Sequence, residues 1–94
     1  MEKINIDFEE SIQHLNPVTW VYNDDEKNIR HLGYIAEEVY DVDSLKYMVV
    51  LDEEDKPLGL RYDLVGIYAV EVLKSALQRI DTLEKEIKDL KNNL

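Results

Sequence analysis

Apolar positions along the chain follow three rhythms. In "FEESIQHL", Phe8, Ile12 and Leu15 recur at helical spacing. Asp7 stands where an N-cap is wanted, and Asn16-Pro17 ends the segment. "VTWVY" at 18–22 is β-branched and aromatic and predicts a strand, followed by the polar turn "NDDEKN". Residues 30–34 predict extended chain, and "IAEEVY" at 35–40 predicts a short helix with Ile35 and Val39 four apart. "KYMVVL" at 46–51 and "LGLRY" at 58–62 then read as two strands of a hairpin around the turn "DEEDKP".

The third rhythm is a heptad. From Leu73 onward, Leu73, Ile80, Ile87 and Leu94 fall at a, while Ala76, Leu83 and Leu90 fall at d. That narrow stripe is a coiled-coil seam rather than the broader face of a helix packed on its own domain. Asp63 is the expected N-cap of this helix. Arg79 and Glu86 lie at g, and Glu84 and Lys91 at the following e positions. In a parallel assembly those rows pair Arg79 with Glu84 and Glu86 with Lys91, both attractively. Exposed pairs contribute about 0.5 kcal/mol each, but they bias orientation. Continued backward, the register puts Gly66 at a and Ala69 at d. The fold class expected is α+β: a small mixed body over 1–63 with a β-hairpin, and a long helix over 64–94 forming a parallel coiled coil or helical bundle whose strand number the heptads leave open. Ninety-four residues make one domain.

Charge divides at the same boundary. Residues 1–63 carry sixteen acidic and six basic side chains, and residues 64–94 carry five of each. The whole net charge of −10 therefore sits on the body. Such a surface repels nucleic acid and anionic lipid, so neither is an expected partner. No apolar run is long enough to span a bilayer. Cysteine is absent, which removes disulfides and thiol chemistry.

Side chains suited to catalysis are few. Two histidines, His14 and His31, make no metal site on their own, and no metal or cofactor is expected. Ser11, Ser44 and Ser75 lie in no nucleophile-elbow motif, and Gly33, Gly59 and Gly66 form no phosphate-binding loop. Ser44 reads as a turn or cap residue and Ser75 as a small interface residue. Gly33, between bulky neighbours, implies a special backbone angle or a close chain approach.

The ordered set "PVTW" at 17–20, "HLGYIAEEV" at 31–39, "YDLV" at 62–65 and the Leu83-Glu84 repeat resembles one family. It is the C-terminal intramolecular chaperone domain of phage tailspikes, tail fibres, neck appendages and endosialidases, the self-cleaving domain classed with the S74 peptidases. One departure is Glu37, where the family usually has Gln. The resemblance implies a homotrimer that aligns the chains of an upstream fibre or spike domain of the same polypeptide, in the host cytoplasm during phage assembly. It also implies release by a serine–lysine self-cleavage acting once in cis. The family places its serine in a Ser-Asp-x-x-x-Lys-x-Asn-Ile pattern, of which this chain retains "KINI", residues 3–6. Lys3 is thus the candidate dyad lysine. The serine would precede Met1, so the chain as it stands is expected to be inactive and to correspond to a released or trimmed domain. His31 is a candidate cleavage assist or a core-bonding group. Gly33, Tyr34, Ile35, Ala36, Glu38 and Val39 form the signature joint, with Ile35, Ala36 and Val39 expected to anchor the helix to the core. The competing readings are a parallel coiled-coil oligomerisation or adaptor module without chaperone or protease activity, and an acidic regulatory protein that binds a basic partner.

Overall fold

The structure, a computed structural model, describes residues 1–94. After an extended N-terminal stretch come α1 (Phe8–Ile12), β1 (Val18–Val21), β2 (Arg30–Gly33) and α2 (Ala36–Tyr40). A 3-10 helix over Asp43–Met48 leads into β3 (Val49–Leu51) and β4 (Pro57–Leu60), and α3 (Val65–Asn92) closes the chain. The class is α+β. β1 pairs antiparallel with β2, placing Trp20 opposite His31, and β3 pairs antiparallel with β4 as a second, separate hairpin.

One device shapes both hairpin turns. The Asp25 carboxylate accepts the backbone N–H groups of Lys27 and Ile29, each at 3.0 Å. The Asp52 carboxylate accepts those of Glu54 and Lys56 at 2.8 and 3.0 Å. Three residues after each aspartate the backbone turns left-handed, at Asn28 (φ 52°) and Asp55 (φ 61°). Asn and Asp tolerate that region better than other side chains with a Cβ. Asp7 caps α1 as its position predicts, accepting the Glu10 N–H at 3.1 Å.

Two local predictions are corrected. Residues 46–48 belong to the 3-10 helix, not to a strand. Leu45 and Met48 are both fully buried. Three residues per turn aims positions three apart at one core, whereas strand alternation would send them to opposite faces. Asp63 does not cap α3. It lies in a 3-10 turn over Tyr62–Leu64, and α3 starts with no side-chain cap. The turn itself supplies a partner for an early amide, Leu64 N–H donating to the Arg61 carbonyl at 3.0 Å.

The core is small: Val39, Leu45, Met48 and Tyr68, with Phe8, Ile12, Leu64 and Val65 among the side chains packed around it. Only six residues of 94 are buried. The radius of gyration is 19.2 Å, against about 12 Å for a compact chain of this length. The excess comes from α3, whose 28 residues extend roughly 42 Å. Its first three turns pack on α1 and the core, and every residue from Leu77 to Leu94 is exposed. No helix is long and apolar enough to cross a membrane.

Candidate functional site

The signature joint is built around Gly33. This residue is buried and its φ is not positive, so close approach, not backbone freedom, explains the glycine. A Cβ there would collide with the Tyr62 hydroxyl and stand 3.0 Å from the Trp20 ring. The Tyr62 hydroxyl accepts the Tyr34 backbone N–H at 3.1 Å, and the two tyrosine rings stack with centroids 6.2 Å apart. The "HLGY" and "YDLV" segments are therefore two halves of one contact, 29 residues apart in sequence. Of the other joint residues, Val39 is 2% exposed and lies in the core. Ala36 is half-buried, while Glu38 is exposed in the first turn of α2. Ile35 departs from its expected anchoring role: it occupies the N-cap of α2 and is 39% exposed.

His31 lies on the same hairpin. Its ring stacks on Trp20, with centroids 5.8 Å apart, and meets the edge of Tyr22 at 5.0 Å. This aromatic packing across the β1–β2 ladder accounts for its position. Lys3 is exposed in the extended N-terminal stretch and enters no salt bridge. His14 is exposed in the turn after α1, where it contacts Glu10 of the helix. No group of three or more His, Asp or Glu side chains stands in metal-ligating geometry.

A hydroxyl junction ties α1, the 3-10 helix and α3 together. Ser11 is fully buried; its Oγ donates to the Asp7 carbonyl at 2.7 Å and meets the Ser44 Oγ at 2.5 Å. The Tyr68 hydroxyl donates to the Ser44 carbonyl at 2.6 Å. Burial raises the Tyr68 phenol above its ordinary value, with the Tyr47 phenol adding to the effect. Every buried side-chain polar atom has a partner. Ser11 carries no sequence signal for this role beyond being a small polar residue one position before the apolar Ile12.

A second tie joins α1 to α3. The Glu9 carboxylate accepts from Ser75 Oγ at 2.5 Å and pairs with Arg79 Nη1 at 3.0 Å. The Ser75 hydrogen bond holds the Glu9 carboxyl below its ordinary value, with desolvation opposing and Arg79 assisting. Ser75 thus serves an intrachain tie. Arg79, placed by the heptad opposite Glu84 of a neighbouring chain, has a partner inside its own body.

Beyond these ties α3 presents a long apolar stripe to solvent. Leu73, Ile80, Leu83, Ile87, Leu90 and Leu94 are all at least half exposed, as are Val70 and Leu77. Ala76 differs, being half-buried beside Ser75. At Gly66, a Cβ would meet nothing within 4 Å, so the glycine is not demanded by packing within this chain.

These features bear on relationship. A sequence model of the family described as chaperone of endosialidase, peptidase S74, matches residues 1–50. No curated protein and no solved structure matches the chain. The matched stretch contains Gly33, Tyr34, His31, Ser11 and Ser44, and it spans more than half of the 94 residues. By that match, the chain belongs to the peptidase S74 family, the chaperones of endosialidase.

Proposed function

We propose that the chain is an intramolecular chaperone that assembles as a parallel homotrimer. Assembly aligns the upstream segments of a phage fibre or spike protein so that their β-structure folds in register. Serine–lysine self-cleavage then releases the domain, in the host cytoplasm during phage assembly. The observation that carries this reading is the apolar stripe of α3. The helix projects from a four-residue core, and the leucines and isoleucines exposed along it have no partner within their own chain. Bringing three chains together costs conformational entropy before long-range contacts form. Self-association of a helix sets the register and raises the effective concentration of everything attached to it.

Lys3 is the dyad lysine in this proposal. The test places the family's serine upstream of it. The chain is expressed behind a family-type upstream segment whose Ser-Asp is separated from Lys3 by three residues, the serine five positions before the lysine. Cleavage is expected ahead of the serine, and the Lys3→Ala version is expected to stay intact. An uncleaved parent, or cleavage that survives Lys3→Ala, overturns the protease part. Sedimentation equilibrium of the 94-residue chain tests assembly on its own: three copies are expected, and a dimer counts for the adaptor reading instead.

A further inference from the structure

Two different seams can be drawn along α3, and they diverge only where the helix touches the body. The heptad 73-76-80-83-87-90-94 takes steps of three and four without a break. The exposed apolar residues take another path beside the body: Val70, Leu73, Leu77, Ile80. We infer that the surface docking onto a second copy of this chain follows the exposed path beside the body, with Leu77 replacing Ala76. It shares Leu73 and Ile80 with the heptad, and from Leu83 onward, where the helix has left the body, the two coincide. The inference rests on the self-assembling reading proposed above and deepens it.

The reason is the side of the helix already occupied. Val65 packs on the core, Tyr68 lies inside it, Ser75 donates to Glu9 and Arg79 pairs with the same carboxylate. Those residues recur at helical spacing and define the face turned toward α1. At about 100° per residue, Ala76 stands at the edge of that face and Leu77 a further 100° away. Ala76 is accordingly half-buried, whereas Leu77 is 56% exposed. A neighbouring helix centred on Ala76 would run into α1 of the same chain. Centred on Leu73 and Leu77, it meets an open face.

Spacing records the change of course. The exposed path runs in steps of 3-4-3 from Val70 to Ile80, then 4-3-4 from Leu83 to Leu94. The join from Ile80 to Leu83 is three residues where an unbroken seam needs four. Such a break locally overwinds a coiled coil. It falls just after Arg79, the last residue tied to the body. The occupant is a second parallel copy because the flanking charges complement themselves. Glu86 faces Lys91 of a parallel neighbour in the C-terminal part, where the register is undisturbed. Arg79, by contrast, belongs to the tie with Glu9 and not to a pair with Glu84 of the neighbouring copy.

The chain has no cysteine, so single cysteines map the seam directly. Ala76→Cys, Leu77→Cys, Ile80→Cys and Leu83→Cys variants are oxidised and resolved on non-reducing gels. Sedimentation equilibrium of the wild-type chain is measured alongside. Leu83 lies on both paths, so its cross-linking reports assembly. Leu77→Cys and Ile80→Cys are expected to cross-link as fully as Leu83→Cys, and Ala76→Cys several-fold less. Ala76→Cys cross-linking as well as Leu77→Cys, or better, overturns the shifted seam while leaving self-assembly standing. A monomeric wild type with no cross-link at Leu83→Cys removes the self-assembly reading, and the seam with it.

Discussion

Replacing Gly33 by Ala tests the contact on which the signature joint is built. The added Cβ meets the Tyr62 hydroxyl and comes to 3.0 Å from Trp20. Overpacking of this kind costs about 1–3 kcal/mol, and displacing Tyr62 also threatens its hydrogen bond from the Tyr34 N–H. That bond lies at a half-exposed tyrosine, so its own loss sits near the low end of about 0.5–1.5 kcal/mol. A double-mutant cycle separates the two effects. Tyr62→Phe alone removes the hydroxyl and is expected to cost less than about 1 kcal/mol. In a Tyr62→Phe background the Gly33→Ala substitution no longer meets the oxygen, so the double variant is expected to be more stable than the sum of the singles by about 1 kcal/mol. Urea unfolding followed by circular dichroism measures all four proteins. Each is held at one protein concentration, because association contributes to apparent stability. Additivity within about 0.5 kcal/mol would refute the collision as the reason for glycine at this position.

Other outcomes follow from the same geometry. Ser11→Ala removes a fully buried hydroxyl that serves both Asp7 and Ser44, and is expected to cost about 1–3 kcal/mol in urea unfolding; an unchanged midpoint would remove the hydroxyl junction as a stabilising element. Met48→Ala opens a cavity at a fully buried position and is expected to cost about 2–5 kcal/mol, whereas Leu58→Ala, at the exposed position of β4, should stay within about 0.5 kcal/mol. Acid should loosen the α1–α3 tie. Glu9 has a lowered folded value, so its contribution is present above its ordinary 4.5 and is lost as pH falls through the folded value. Glu9→Gln is expected to flatten that acid limb, and an unaltered pH profile between wild type and variant would contradict the assignment. Tyr68 gives the opposite sign: its raised value makes stability fall as pH rises above 10, and Tyr68→Phe should remove that alkaline limb.

Local chemistry was legible without tertiary information. Asp7 before the first apolar-periodic residue marks its helix, and the polar runs "NDDEKN" and "DEEDKP" mark both hairpin turns. The heptad marks the long C-terminal helix and its exposed apolar stripe. Each of these rests on contacts within about four residues, where side-chain chemistry and backbone preference act alone. The 3-10 helix at 43–48 was not legible, because "KYMVVL" has strand propensity and only the core decided that Leu45 and Met48 share a face. Gly33 announced a constraint but not its cause, which is a tyrosine 29 residues downstream. Ser11 and Ser44 are 33 residues apart, and Glu9 and Arg79 are 70 apart. No local pattern encodes such pairs. The sequence by itself determined where the α-helices, the hairpin turns and the apolar stripe of α3 lie. The tertiary structure decided which side of α3 the body covers, because packing against α1 is a long-range choice. That choice turns Ala76 toward the body and leaves Leu77 exposed to solvent.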